Sequence, residues 1–330
     1  MFSLFKIFNR LSFVNTNIKS DRRLSYGISR NKPLNKSDFS IRSLKIFEFK
    51  EILSNWAAKE GWNPGKHEYL PFYLASLNGH KGLFLNDMII ASLSGVRYSK
   101  HLAFLGIYIV DPDYREQGLG QILAKATLEE LTDCSLIGIN AVQQQVGNYQ
   151  RKYGFTSSHI NSRWTGKFKV QNNFLLKNFK MDIKIVGREG LNINELMEYD
   201  GSIFSVPRPK FLRKWIEMPE SYLLAAIKNE KICGYGVITK CIDGYKIAPL
   251  FANDEEIAQR LYTSFAELLK GKRNIVQLDV PENNPTAVKL ATQFGLYKSF
   301  ETTRMYKSTG PTIENPSNSE VYAITTLEIG

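Results

Sequence analysis

A chain of 330 residues with 43% hydrophobic residues can bury more than one core, and its length argues for two domains. Its formal net charge of +11 is concentrated in residues 1–36, so the remainder is nearly balanced and makes no case for a nucleic-acid surface. No apolar run reaches the roughly 18 residues of a membrane-spanning helix, and three cysteines without paired spacing beside four scattered histidines argue against a metal site or a disulfide framework.

Residues 1–36 interleave Lys6, Arg10, Lys19, Arg22 and Arg23 with Phe2, Leu4, Phe5, Ile7 and Phe8. That composition belongs equally to a mitochondrial transit peptide and to a basic disordered arm. Residues 1–41 are therefore set outside the fold, with the protein expected in the cytoplasm, or in the mitochondrial matrix if the arm is a transit peptide. Ile46, Phe49 and Leu53 give helical spacing up to Lys59, followed by the turn-rich Gly61–Gly65. Three apolar runs, 83–85, 88–96 and 102–110, are joined by Asn86–Asp87 and by Ser99–His101 and predict a β-meander. Leu119, Ile122, Leu123 and Ala126 predict a helix over 119–131, and a strand over 136–142 and a helix over 146–153 lead to Gly154 and Phe155.

The second half repeats the plan: strands over 222–227, 232–239 and 245–251, a helix over 255–269, a strand over 275–280 and a helix over 286–294. The offset stays at about 140 residues, from Ile107 to Ile247 and from Gly154 to Gly295. The chain thus reads as two copies of one α+β unit, 42–168 and 182–330. A loop over 310–319 precedes a last β-prone run over 321–329.

The chemistry lies in Arg115, Glu116, Gln117, Gly118, Leu119 and Gly120, between an apolar strand and an amphipathic helix. A helix start leaves four amides unpaired and carries about half a positive charge, so it offers donors to a diphosphate. Glycines let backbone approach the oxygens, and Arg115 adds a charge-assisted contact. The spacing fits neither a P-loop nor a dinucleotide fingerprint. On spacing alone, a glycine turn that merely starts a helix reads as well.

With Val110, Pro112, Arg115, Gly118 and Gly120 before that helix and Gly154, Phe155 closing a later one, the chain resembles the GNAT N-acetyltransferase superfamily. Gly61–Gly65 with Glu68, the stretch 104–110, and Asn284, Ala287, Leu290 and Gly295 resemble its two-domain YitH-like subgroup, whose C-terminal unit is degenerate. The resemblance implies two tandem GNAT-like α/β units, each a mixed, mostly antiparallel sheet flanked by helices. It also implies an N-acetyltransferase moving an acetyl group from acetyl-CoA to a primary amine, on a small molecule or a lysine, in a ternary complex without a metal. Tyr108, Ile109 and Val110 would meet the pantetheine arm, with an oxyanion-binding amide at a strand bulge near Ile109. The amides of Gln117, Gly118, Leu119, Gly120 and Gln121 would take the pyrophosphate.

Glu68 is the expected base, against the ordinary reading of a solvated loop charge. Many family members place an acid tyrosine four residues before the helix-closing glycine; here that position is Gln150 and Tyr149 stands one earlier, which turns it by ~100°. Tyr98 and Tyr108 are the alternatives. His67 and His101 read as turn residues. The second unit has Asp254, Glu255 and Glu256 where the first has its loop, and these would repel a diphosphate. A non-catalytic acyl-CoA sensor is the competing reading. Neither nucleic acid nor membrane is expected as a partner.

Overall fold

In a computed structural model the described residues are 38–168, 182–271, 275–308 and 318–330. The targeting reading of the arm, the expected boundary at 169–181 and most of the 310–319 loop lie outside them. β1 (Phe39–Ser43) leads into α1 (Ile46–Glu51), which a π-helical turn (Ile52–Trp56) joins to α2 (Ala57–Lys59). Phe49, Ile52, Leu53 and Ala57 are buried on one side of this rod, as their spacing requires. After α3 (Tyr69–Ala75) come β2 (His80–Leu85), β3 (Met88–Arg97) and β4 (Leu102–Val110), the expected meander. α4 (Leu119–Glu129), β5 (Leu136–Val142) and α5 (Gln143–Tyr153) follow, and Gly154, at φ 73°, ends α5 in the left-handed geometry glycine accepts most easily. β6 (Thr156–Lys167) completes this half.

The second half runs β7 (Ile183–Val186), α6 (Ile193–Phe204), α7 (Pro209–Trp215), β8 (Ser221–Lys228), β9 (Lys231–Lys240) and β10 (Tyr245–Ala252). Then come α8 (Glu255–Leu268), β11 (Ile275–Pro281), α9 (Pro285–Gln293), β12 (Tyr297–Ser308) and β13 (Val321–Ala323). The β-prone run expected over 321–329 is thus strand only at its start. Beyond it, Thr326 Oγ1 accepts from the Ile329 amide and donates to the Gly330 carbonyl, folding the segment into a turn.

The halves do not carry separate sheets. Among the described residues all strands join one sheet, in the order β1-β2-β3-β4-β5-β12-β6-β11-β10-β9-β8-β7, with β13 beside β10. The last long strand of each half has changed places: β12 pairs with β5 from Thr302↔Val142 to Ser308↔Leu136, and β6 pairs with β11 from Ile275↔Lys167 to Pro281↔Asn161. Each half therefore completes the other.

Two apolar cores lie under α4 with α5 and under α8 with α9, the first taking Met305 from β12 and the second Trp164 from β6. A third draws on both halves: Phe72 of α3 stacks on Trp215 of α7 at 5.9 Å between ring centroids. The Gly61–Gly65 turn is welded to the β9–β10 hairpin, with Asn63 donating to the Asp243 carbonyl (2.9 Å), the Asp243 amide donating back (2.8 Å), and Gly65 bridging Cys241. Residues 39–330 accordingly form one compact unit.

Candidate active site

β4 and β5 run parallel only from Leu102↔Leu136 to Leu105↔Ile139 and then splay apart. At the same point β4 bulges: Ser94 pairs with Gly106 and Ser92 with Ile109, so Leu93 alone faces both Ile107 and Tyr108. Ile107 sits at φ 51°, a conformation a β-branched residue adopts only under constraint. The bulge expected near Ile109 is therefore centred one to two residues earlier. A bulge leaves its extra residue out of the ladder pairing.

The gap opens into a cleft of ≈ 710 Å³. At one end lies the start of α4. Gly118 is its N-cap at φ 76° and no side chain caps it; the Gln121 amide turns to the Gly118 carbonyl (3.0 Å), which leaves the Leu119 and Gly120 amides as the donors a ligand could use. A Cβ on Gly120 would stand 2.5 Å from the Tyr108 hydroxyl, so the loop needs glycine there for space. Arg115 lines this mouth, its Nε donating to the Val110 carbonyl (2.9 Å) and its far nitrogen ion-paired with Glu60. An arriving diphosphate would compete with Glu60 for that guanidinium.

Of the expected contacts, Tyr108, Ile109, Val110, Arg115, Gly118, Leu119, Gly120 and Gln121 line the cleft. Gln117 does not; its side chain turns back to the Asp113 carbonyl at 3.3 Å. Tyr149 also lines the cleft, because α5 presents Gln145, Asn148, Tyr149, Lys152 and Tyr153 along one face, while Gln150 is exposed. Burial holds the Tyr149 hydroxyl well above the usual phenol range, so it stays protonated and able to donate.

The other two catalytic expectations lie elsewhere. Glu68 is fully buried outside the cleft lining, accepting from the Gly65 amide (2.9 Å) and ion-paired with Lys246 (3.0 Å) of the second half. The turn that brings Glu68 near the site is the turn that welds the halves, and its carboxylate is committed to that joint. Tyr98 donates its hydroxyl to the Ile329 carbonyl (2.8 Å) and packs edge-on against Phe204. His67 reaches Glu220 at the surface. Trp164 and Trp215 are core residues, the latter donating to the Ala248 carbonyl.

Sequence reasoning missed the inner end of the cleft. Asn140, Arg163, Phe300, Thr302, Leu327 and Glu328 form it, drawn from β5, β6, β12 and the segment after β13. Arg163 makes two bonds to Asp279 (2.7 and 2.9 Å) and one to the Trp62 carbonyl (2.7 Å). Burial pushes the Asp279 carboxyl upward, but the Arg163 charge beside it prevails and holds it below the usual range. No signal in the sequence could have gathered these residues, since strand exchange brings them together.

The corresponding place in the second half is closed. β10 and β11 pair only at Tyr245↔Val276 and Lys246↔Gln277, and a matching bulge sets Ala248 and Pro249 opposite Val237. Pro249 has no amide to offer an oxyanion. β13 fills the splay by pairing Ala323 with Leu250 and Val321 with Phe251, and the Ile324 amide donates to the Asp279 carbonyl at 2.9 Å. The start of α8 is capped by Asp254, which accepts from the Ile257 amide (2.9 Å).

Sequence and fold comparisons agree with this geometry. Residues 44–155 match the model described as Acetyltransferase (GNAT) family, and residues 196–323 that described as Acetyltransferase (GNAT) domain. The chain is 26% identical to the holothin acyltransferase of Pseudoalteromonas sp., over 85% of this chain and 91% of that protein. It is 20% identical to the uncharacterized N-acetyltransferase YitH of Bacillus subtilis, over 73% of this chain and 81% of that protein. In fold it is similar to a Pyrococcus horikoshii protein assigned as an acetyltransferase (TM-score 0.72, 20% identity, 92% of this chain and 100% of that one). A tandem GNAT protein from the clavulanic acid biosynthesis pathway is also similar (TM-score 0.59, 11% identity, 83% of this chain and 100% of that one). With a GNAT model matched in each half and the two halves built alike around a bulged, splayed strand, the chain belongs to the GNAT superfamily as a tandem acyltransferase.

Proposed function

We propose that the first half binds acetyl-CoA and transfers its acetyl group to a primary amine by direct attack within a ternary complex. The single observation that carries this is the splay of β4 from β5, which runs from the bulge at Ile107 to the uncapped start of α4. Pantetheine would lie along Tyr108–Val110, the pyrophosphate at the amides of Gly118–Gly120, and the thioester carbonyl at the bulge, where a backbone donor would stabilise the developing oxyanion. Tyr149 would protonate the departing thiolate. The curated relative named for holothin acylation makes a small-molecule amine the first acceptor class to test, ahead of protein lysine.

The Gly120→Glu variant tests the reading. Its side chain would collide with the Tyr108 hydroxyl and bring a negative charge to the phosphate site. Calorimetry should show micromolar acetyl-CoA binding by the parent chain and none by a folded variant; equal binding by both would overturn the assignment. A sensor without catalysis is separable by thiol release with an amine panel. The cleft position of Tyr149 speaks for turnover.

A further inference from the structure

Between Val321 and Gly330 the chain visits both cofactor positions in turn. β13 first closes the second half's slot. The segment then crosses into the first half, where Asn140 donates to the Leu327 carbonyl (2.8 Å) and Tyr98 to the Ile329 carbonyl (2.8 Å). Between those two anchors, the Glu328 carbonyl lies so close to Gly106 that a Cβ there would stand 1.5 Å from it. Gly106 immediately precedes the bulge at Ile107, so Glu328 is held beside the point where the thioester carbonyl would lie.

Glu328 lines the cleft yet is only 5% exposed as a residue, and its Oε2 is buried without a hydrogen-bond partner. Its neighbours come from four elements: Lys246 on β10, Glu68 before α3, Arg163 on β6 and Asp279 on β11. Those four pair among themselves, Arg163 with Asp279 at 2.7 Å and Lys246 with Glu68 at 3.0 Å. Glu328 is the third carboxylate set against two cations. Burial raises its carboxyl pKa above the ordinary range; Lys246 and Arg163 oppose that rise, and Glu68 and Asp279 add to it. A buried carboxylate left over from a balanced cluster is poorly placed to stabilise the fold and well placed to take a proton.

We propose that Glu328 is the general base of the transfer and that the 321–330 segment, by carrying it, is part of the active site. The proposal rests on the acetyl-transfer reading above. The acceptor is a primary amine that enters as its ammonium form, drawn by the one excess negative charge at the closed end of the cleft. The Glu328 carboxylate takes one proton from the ammonium, and the freed lone pair forms the C–N bond to the thioester carbon while the carbonyl π pair moves to oxygen; the second proton leaves the nitrogen to solvent before the intermediate collapses. Collapse re-forms the carbonyl and breaks the C–S bond, the thiolate takes a proton from Tyr149, and solvent restores both groups. Protonation of Glu328 leaves two cations facing two carboxylates, so the step ends in a neutral cluster. Glu68, which touches no part of the cleft, acts as a positioning residue that holds Lys246 and keeps Glu328 basic.

The test compares the full chain with Glu328→Gln and Glu328→Asp. Three quantities are read: acetyl-CoA affinity by calorimetry, thiol release from acetyl-CoA with tryptamine, benzylamine and a lysine-containing peptide, and thermal midpoint at pH 8. Glu328→Gln should bind acetyl-CoA within about threefold of the parent, keep or raise the midpoint, and lose about 10²–10⁴-fold in amine-dependent kcat, with partial recovery in Glu328→Asp. Unchanged kcat in Glu328→Gln overturns the assignment of Glu328 alone. A parallel fall of kcat, affinity and midpoint overturns it too, by showing a structural role. A parent chain that binds acetyl-CoA and releases no thiol with any of the amines overturns this assignment together with the transferase reading.

Discussion

Glu68 and Glu328 are both buried acids near one cleft, and what separates them is the company each keeps. Glu68 Oε2 accepts from the Gly65 amide and its Oε1 lies 3.0 Å from Lys246, an ion pair outside the cleft lining; Oε1, like Glu328 Oε2, has no hydrogen-bond partner, but Glu328 lines the cleft. A search for an acid in the right stretch of sequence finds Glu68, because the Gly61–Gly65 turn marks it; the partner that neutralises it lies almost 180 positions away and leaves no local trace. His80 shows how burial acts on a single group of the opposite type. Its Nε2 meets the Phe72 carbonyl (3.0 Å) and so donates, which leaves Nδ1 to accept from Ser94 (2.8 Å) in the neutral ring. Burial lowers its pKa to about 4. A depressed histidine contributes its stability fully above the unfolded value of about 6.5 and loses it as pH falls toward 4, up to ~3 kcal/mol. Urea midpoints measured across that range should fall with pH in the parent chain, with a shallower slope in His80→Gln.

At the scale of elements, β4 with α4 and β10 with α8 are the same pair put to opposite uses. Alternating apolar residues and the break at Asp111–Gly120 make β4 and its loop legible in the sequence, as do the three acids that mark α8. β6 and β12 are not legible. Their sequences, TSSHINSRWTGK and YKSFETTRMYKS, show no apolar alternation, because only Trp164 and Met305 among their residues are buried in the cores while polar Arg163 and Thr302 line the cleft. The helices α3, α6 and α7 escape for another reason: their apolar residues meet a core shared between halves, which no single window of sequence displays. The contrast between the two pairs carries a quantitative expectation. Titration should give one acetyl-CoA per chain. Asp254→Ala should cost about 0.5–2 kcal/mol through its lost cap, read from urea unfolding, and leave that stoichiometry at one, because β13 and Pro249 still block the second slot.

The whole molecule is held by exchange rather than by docking. Two adjoining domains would meet across a surface; here the backbone ladder itself passes from one half to the other and back, through β5, β12, β6 and β11. Fragments 39–168 and 182–330 each lack a central strand neighbour and should fail to fold when produced alone, as read by amide exchange. Co-produced, they should form a soluble 1:1 complex. Stable folding of either fragment by itself would contradict the pairing described. The repeat of about 140 residues reveals that two units exist, yet it cannot reveal the exchange, because swapped and unswapped arrangements bury the same residues.

The exchange also orders events at the ribosome. β5 emerges with its edge prepared for β12, and that partner follows roughly 160 residues later, on the order of 10–30 s at ordinary rates of synthesis. Throughout that interval the nascent first half presents an unpaired apolar strand edge to its surroundings. The first half, though translated first, is therefore finished last, and its yield in a cell depends on what shields that edge while the second half is being made.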